Sequence, residues 1–84
     1  MRANREEIFN ELKKVMHELF EIDPDAIQLD TNLYDSLDLD SIDAVDLIAH
    51  LQIITGRKFN PEEFKAVRTI SDVVDVIYNE LNKT

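Results

Sequence analysis

Few side chains of this sequence could take part in covalent chemistry, and one of them has a distinctive setting. Ser41 follows Asp40 and precedes Asp43, at the point where apolar residues begin to recur with helical spacing. In the first turn of a helix the backbone N–H groups are unpaired and the dipole is positive, so a phosphate attached to Ser41 would be electrostatically favoured. On composition and spacing alone, the plainer interpretation of an ordinary first-turn serine is preferred.

A catalytic role or a metal site fits these residues poorly. The only imidazoles are His17 and His50, and no Gly-x-Ser-x-Gly turn accompanies Ser41 in its acidic surroundings. The absence of cysteine excludes a disulfide framework, a thiolate zinc site and a cysteine nucleophile. A calcium loop lacks the glycine and the bidentate glutamate of an EF-hand; its candidate ligands are Asp35, Asp38, Asp40 and Asp43. We therefore predict no catalytic residue and no metal.

The acidic side chains are concentrated in one third of the chain. The 84 residues carry 18 acidic and 9 basic side chains, for a net charge of −9. Residues 21–46 hold nine of the acids and no Lys or Arg, so the rest of the chain is neutral. Nucleic acid and anionic membranes would repel such a chain. This region is either a solvated loop that aids solubility or a surface that meets a basic partner.

Length and hydropathy indicate one small soluble domain. A chain of 84 residues is near the lower limit at which a single apolar core folds unaided. No apolar run approaches the roughly 18 residues that cross a bilayer, and residues 1–4 lack a signal sequence. We expect a single domain over residues 1–84, cytoplasmic, monomeric and without stable membrane insertion.

Apolar spacing predicts four helices and no strands. They cover residues 5–20, about 41–55, 61 to about 67, and from about 69 or 71 to 81. The residues suited to cap or stop them are Asn4 with Glu7 in a capping box, Asp23-Pro24, Asp40, Gly56, and Asn60 with Pro61. The predicted fold class is all-α: a small four-helix bundle with a long loop between helices one and two and a short third helix.

The second helix has two apolar stripes, of which one suffices for a core. The loop before it, residues 21–39, is expected to be anchored by Ile27, Leu29, Leu33, Tyr34 and Leu37. The inward stripe of the helix consists of Leu47, Ile48, Leu51 and Ile54. The other consists of Ile42, Val45, Ala49 and Ile53. Either this helix is central and contacted from several sides, or part of the second stripe is exposed among carboxylates and suits docking.

The segment Leu37-Asp38-Leu39-Asp40-Ser41-Ile42-Asp43-Ala44-Val45-Asp46-Leu47 resembles the attachment region of acyl carrier proteins, in which an Asp-Ser-Leu-like tripeptide opens an acidic helix. The resemblance continues at residues 60–64 and 69–73, which open the third and fourth helices. It implies that a phosphopantetheinyl transferase attaches 4′-phosphopantetheine from coenzyme A to Ser41. The thiol of that arm then carries acyl groups as thioesters, in fatty-acid or related lipid or polyketide biosynthesis.

The resemblance also implies a non-catalytic carrier that is read by its partner enzymes. The expected partners are the transferase and acyl-loading and condensing enzymes with basic docking patches. The implied recognition residues are Asp38, Asp40, Ile42, Asp43, Val45, Asp46 and Ala49. Replacing Asp43 or Asp46 by Lys is expected to slow association with little loss of fold. An aminoacyl, D-alanyl or polyketide-type carrier, or an unmodified acidic adaptor for a basic peptide, remains an alternative.

Three further features distinguish this chain within the resemblance. Ser36 lies in a second Asp-Ser-Leu tripeptide, but residues 36–40 alternate polar and apolar, so the helical serine is Ser41. Asp38 stands where many members have glycine, and Asp tolerates turn geometry. The second helix ends in apolar residues and then Gly56-Arg57-Lys58 instead of glutamates, which predicts a specialised carrier with few partners. An acyl shelter in the core would be lined by Phe9, Leu51, Ile54, Phe64 and Val74.

Overall fold

The computed structural model describes residues 4–82, and in this part of the chain it contains four α-helices and no strand. The helices are α1 (Arg5–Phe20), α2 (Ser41–Thr55), α3 (Pro61–Lys65) and α4 (Ile70–Leu81). A 3₁₀ turn, Pro24–Ala26, interrupts the long α1–α2 loop. The predicted all-α bundle with a long first loop and a short third helix is confirmed. The predicted domain also includes residues 1–3 and 83–84, which lie outside the described residues.

One apolar core connects the four helices. Helix α1 packs against α2 and α4, and α3 contacts both α2 and α4. Eighteen apolar side chains are buried in the core, and no polar or charged side chain among residues 4–82 is buried. The core members of α2 are Leu47, Ile48 and Leu51. None of the helices in residues 4–82 has the length and apolar character needed to cross a lipid bilayer.

The helices begin with side-chain caps close to the predicted positions. Asn4 Oδ1 accepts the Glu7 N–H of α1 at 2.8 Å, and Asn60 Oδ1 accepts the Glu62 N–H of α3 at 2.9 Å. Complete capping boxes occur at α2 and at α4, where Thr69 and Asp72 exchange side-chain and backbone hydrogen bonds. These bonds satisfy N–H groups that a helix leaves without intrahelical partners.

One helix end differs from the prediction, and another is reached by a different contact. Helix α1 ends at Phe20 as predicted, but the residue that stops it is Glu21 and not Asp23-Pro24: Glu21 takes a left-handed conformation (φ 57°) and its N–H donates to His17 O at 2.9 Å. Helix α3 ends at Lys65, about two residues before the predicted end. The Val67 N–H donates to Phe64 O, three residues earlier, instead of to the carbonyl four residues earlier. Both ends are set by local hydrogen bonds that apolar spacing does not report.

Backbone pairing with the start of α4 holds the α1–α2 loop. The Leu33 N–H donates to Arg68 O at 2.8 Å, and the Ile70 and Ser71 N–H groups donate to Thr31 O and Leu29 O. Ile27 and Leu33 are buried as predicted, and Tyr34 and Leu37 pack partly buried against the core. The prediction that Leu29 is an anchor is wrong, since its side chain is exposed and its carbonyl makes the connection. Leu39, which was not predicted, is buried instead.

Candidate functional site

The carboxylate of Asp40 caps the N-terminus of α2. Its Oδ1 accepts the N–H groups of Ile42 and Asp43, both at 3.0 Å. Asp43 Oδ2 in turn accepts the Asp40 N–H at 3.2 Å, and the Asp40 carbonyl accepts the Ala44 N–H. The first turn of α2 is therefore a closed set of hydrogen bonds around Asp40, and it fixes the position of Ser41 between them.

These bonds correct one prediction about Ser41. The N–H groups of Ile42 and Asp43 are paired with the Asp40 carboxylate and that of Ala44 with the Asp40 carbonyl, so within residues 4–82 the N–H of Ser41 is the one that stays without a partner in the first turn. A carboxylate thus already occupies two of the N–H groups that were predicted to favour a phosphate on Ser41. The positive end of the helix dipole remains, but it is partly compensated by the Asp40 charge.

Ser41 is the first residue of α2, and its side chain is exposed. Its hydroxyl makes no hydrogen bond within residues 4–82. The preceding chain is held in place, since Leu39 is buried and its N–H donates to Leu33 O at 3.1 Å. Asp38 adopts the left-handed conformation (φ 55°), which confirms that an Asp can make this turn. A free hydroxyl therefore projects from a fixed backbone.

Ser36, the serine of the second tripeptide, is also exposed and lies in a turn. Its N–H donates to Asn32 O at 3.1 Å, and α2 begins five residues later. Exposure therefore does not distinguish the two serines. The predicted helical frame does, and the observed start of α2 at Ser41 confirms that frame.

One apolar stripe of α2 is exposed along its whole length. Ile42, Val45 and Ile53 are 71, 63 and 80% exposed, and Ala49 between them is exposed as well. This result favours the docking interpretation of the second stripe over a central helix contacted from all sides. Three of the predicted recognition aspartates, Asp38, Asp40 and Asp46, are exposed, whereas Asp43 is half-buried. Ile53 was left out of those residues, although its position four residues after Ala49 already placed it on the stripe.

The inward stripe of α2 is not buried over its whole length. Ile54 was predicted to face the core but is 45% exposed. It borders a cavity of about 340 Å³ between α1, α2 and α4, so no neighbouring side chain covers it fully. The other apolar side chains of this cavity are Ile8, Leu12, Val15, Leu51, Ile77 and Leu81.

The predicted lining of an acyl shelter does not form one cavity. Leu51 and Ile54 line the 340 Å³ cavity, whereas Phe9 and Val74 line a separate cavity of about 240 Å³. Phe64 lines neither, because it is buried edge-to-face against Phe59 with ring centroids 5.9 Å apart. The prediction that these five residues line a single cavity is therefore wrong. Apolar spacing shows which side of a helix faces the core, but it does not show which neighbouring helix each residue meets.

The acidic segment is electrostatically unpaired. The ion pairs found within residues 4–82 join Arg5 to Asp75, Lys14 to Glu11, and Lys65 to Glu62. None of them involves an acid of residues 21–46. In the same part of the chain no group of three or more His, Asp or Glu could hold a metal ion, so the aspartates of the calcium-loop alternative form no such cluster. The imidazole of His17 is used structurally, with Nδ1 3.1 Å from Ile22 O.

Comparison with known proteins decides the family. The family described as "Phosphopantetheine attachment site" matches residues 10–77, which include the whole of α2. The chain is 47% identical over 75 residues to Acyl carrier protein 2 of Ralstonia nicotianae, covering 89% of this chain and 93% of that protein. The chain belongs to the acyl carrier protein family. Its cofactor is therefore 4′-phosphopantetheine, the covalently attached group of this family.

More distant acyl carrier proteins match over nearly the same length. The acyl carrier protein of Coprothermobacter proteolyticus is 35% identical over 77 residues, 92% of this chain and 94% of its own. That of Lactobacillus acidophilus is 38% identical over 74 residues, 88% of this chain and 92% of its own. The resemblance identified in the sequence thus covers most of this carrier and is not confined to the α2 motif.

Proposed function

We propose that Ser41 carries the 4′-phosphopantetheine arm and that the protein transports acyl groups without catalysing their reactions. The exposed hydroxyl of Ser41, unbonded within the described chain and held on the fixed first turn of α2, supports this assignment. When bound, the arm supplies a terminal thiol that holds acyl groups as thioesters. The pathway we propose is fatty-acid biosynthesis or a related lipid or polyketide pathway.

The residues around Ser41 fit the covalent attachment of a phosphate. The Ser41 oxygen forms an ester bond to the pantetheine-bearing phosphorus of coenzyme A, the pyrophosphate bond breaks, and adenosine 3′,5′-bisphosphate leaves. The serine proton passes to a base of the transferase. The hydroxyl must therefore be accessible and free of competing hydrogen bonds. The Asp40 carboxylate beside it is turned towards the N–H groups of Ile42 and Asp43, which compensate its charge. A cargo tethered in this way has a high local concentration at each enzyme that the carrier visits.

The exposed face of α2 is the surface that we propose for recognition. Its apolar stripe supplies contact area, and the unpaired carboxylates before and beside it attract basic patches on the transferase and on acyl-loading and condensing enzymes. Such attraction makes encounter fast and sensitive to salt. We propose that the protein acts as a monomeric single domain over residues 1–84 in the cytoplasm. A monomer leaves the exposed face of α2 uncovered, so that successive partner enzymes can bind to it.

Incubation with coenzyme A, Mg²⁺ and a broad-specificity phosphopantetheinyl transferase tests the assignment. Intact-mass spectrometry is expected to show the gain of one phosphopantetheine in the wild type and in Ser36→Ala. Ser41→Ala is expected to stay unmodified while remaining folded by circular dichroism. Modification of Ser41→Ala and its loss in Ser36→Ala would show that the other tripeptide carries the arm.

The mass of the protein isolated from its own cells identifies the cargo. A fatty or polyketide acyl group on the arm would agree with the proposed pathway. An aminoacyl or D-alanyl group would contradict it and would identify the protein as an aminoacyl or D-alanyl carrier. We also propose that the carrier is specialised, since α2 continues without a glutamate from Asp46 to Gly56. Equal use of this protein and a housekeeping carrier by a general ketosynthase and acyl-loading enzyme would contradict that specialisation.

A further inference from the structure

From the approach to α2 to the residues just after it, the chain changes charge along its length. The α2 end that carries Ser41 lies among Asp38, Asp40, Asp43 and Asp46. From residue 47 to residue 61 the chain has no acidic side chain, and the two charges in this span are Arg57 and Lys58. The two ends of this stretch of chain therefore carry charges of opposite sign, and the net charge of −9 conceals this polarity.

The basic end is available to a partner. Arg57 and Lys58 directly follow Gly56, which ends α2 in a left-handed conformation (φ 68°). Lys58 is exposed and Arg57 is half-buried. Neither forms an ion pair within residues 4–82, although the exposed Lys14 and Lys65 pair with glutamates on their own helices. No carboxylate within residues 4–82 offsets the charge of Lys58, so that charge can attract an external carboxylate.

The exposed apolar stripe of α2 lies between these two ends along the chain. Ile42 and Ile53 are its terminal members, and a rise of 1.5 Å per residue separates them by about 16 Å. Ile53, next to the basic end, is the most exposed large apolar residue in the described chain, at 80%. An apolar strip flanked by charges is the composition of a protein–protein interface, with the contact in the middle and the polar rim around it.

We propose that α2 docks in a fixed direction on a partner protein whose surface has the opposite order of charges. That partner presents cationic groups around the point that receives Ser41, an apolar groove, and an anionic group about 20 Å away that meets Lys58 and Arg57. The proposal rests on the proposed function, because the partner is one of the enzymes that the carrier serves. The basic end excludes partners that are cationic along the whole groove, and this provides the specificity.

A second copy of this chain, packed antiparallel, would also place acids against bases. However, one strip of four side chains on a single helix provides much less than the roughly 800 Å² per partner of a stable interface. Pairing would also cover the helix start that carries Ser41. The small area suits a transient enzyme complex better than a dimer.

The test uses the protein carrying its arm, immobilised at its carboxyl end and exposed to extract of its own cells at low salt. Each captured protein is identified, produced separately and purified, and its Kd is measured for the wild type, Lys58→Glu and Lys14→Glu. Both variants lower the net charge by two, but only Lys58 lies at the end of α2. Melting temperatures confirm that both variants are folded.

For a partner enzyme, Lys58→Glu is expected to weaken binding about fivefold and Lys14→Glu less than about twofold. The difference is expected to disappear at high salt. Equal effects of the two variants, failure to capture any protein that distinguishes them, or capture of a second copy alone would overturn the proposal. Normal transfer of the arm to Lys58→Glu shows that such a failure concerns the docking direction and leaves the assignment of Ser41 intact.

Discussion

Asp40 combines two roles that a sequence motif does not separate. The resemblance assigned it to partner recognition, and the structure shows its carboxylate bonded to two N–H groups of α2. Asp43 has the same double character, since its carboxylate accepts the Asp40 N–H. Asp43→Lys therefore removes a capping bond as well as a charge, because a lysine cannot accept that hydrogen bond. If a substitution of Asp40 or Asp43 slowed transfer of the arm, the cause could be either a disordered start of α2 or a lost contact with the partner.

Two substitutions at Asp40 separate its roles. Asn retains an acceptor oxygen for the capping bonds and removes the charge, whereas Ala removes both. Asp40→Ala is expected to lower the free energy of unfolding by about 1 kcal/mol, and Asp40→Asn by only a few tenths of that. Urea denaturation measures both values, and transferase kinetics are compared at low salt. If Asp40→Asn is modified as fast as the wild type, the Asp40 charge has no part in recognition.

The start of α4 makes one part of the stability dependent on pH. The backbone N–H of Arg68, with help from that of Thr69, lowers the pKa of Asp72 below its ordinary value of 3.8. A lowered pKa in the folded state means that the stabilisation is present above pH 3.8 and is lost as pH falls through the folded-state value. Asp72→Asn is expected to be less stable by roughly 0.5 kcal/mol at neutral pH.

Urea denaturation of the wild type and Asp72→Asn between neutral pH and about pH 3 checks this, since the two curves should converge in acid. Glu63→Gln is a matched control, because Glu63 is exposed in the first turn of the short α3 and lies outside this network. A wild-type advantage that persists or grows on acidification would contradict the assigned sign.

The two faces of α2 differ in what they do for the fold. Leu47 is buried in the core and Ile53 is exposed on the opposite stripe. Leu47→Ala is expected to cost about 2 to 5 kcal/mol of unfolding free energy, whereas Ile53→Ala is expected to cost less than about 0.5 kcal/mol. Urea denaturation measures both. A large loss in Ile53→Ala would mean that the stripe is used for stability and not kept for a partner.

Periodicity predicted the elements better than their ends and surroundings. The bounds of α2 and the start of α4 followed from caps and spacing that the sequence displays, such as Asp40 and Gly56. The end of α1 at Phe20 was predicted, but the cap that forms it is Glu21, a left-handed residue that is not glycine, and nothing in the composition marks it. Leu29 and Ile54 were misplaced because burial depends on which neighbour lies opposite, and this is a property of the assembled bundle. For the same reason the two cavities were not foreseen.

At the scale of the whole molecule, function and stability make opposite demands on charge. Nine acids lie in residues 21–46, and none of them is paired within the described chain. Their mutual repulsion destabilises the compact state, and salt screens it. Raising NaCl from about 0.02 to 0.5 M is expected to increase the free energy of unfolding by roughly 1 kcal/mol, measured by urea denaturation. A decrease would show that attractive ion pairs dominate.

The same screening is expected to slow docking, and Asp46 offers the cleanest test. Unlike Asp40 and Asp43 it makes no hydrogen bond or ion pair within residues 4–82, so Asp46→Lys changes charge without disturbing a cap. At low salt we expect kcat/KM for transfer of the arm to fall about three- to tenfold, through slower association, with an unchanged melting temperature. At high salt the rates of the variant and the wild type should converge.

Asp25→Lys is the matched control for this substitution. It makes the same change in net charge within the same acidic segment, but Asp25 is exposed in the 3₁₀ turn, away from the α2 sequence. If the acids act as a general negative field, both variants should slow transfer equally. If they act as a surface ordered along α2, Asp46→Lys should slow it more, because its charge lies beside the apolar stripe that must enter the partner's groove. Comparison of the two rates therefore determines whether net charge or its placement guides the carrier to its enzymes.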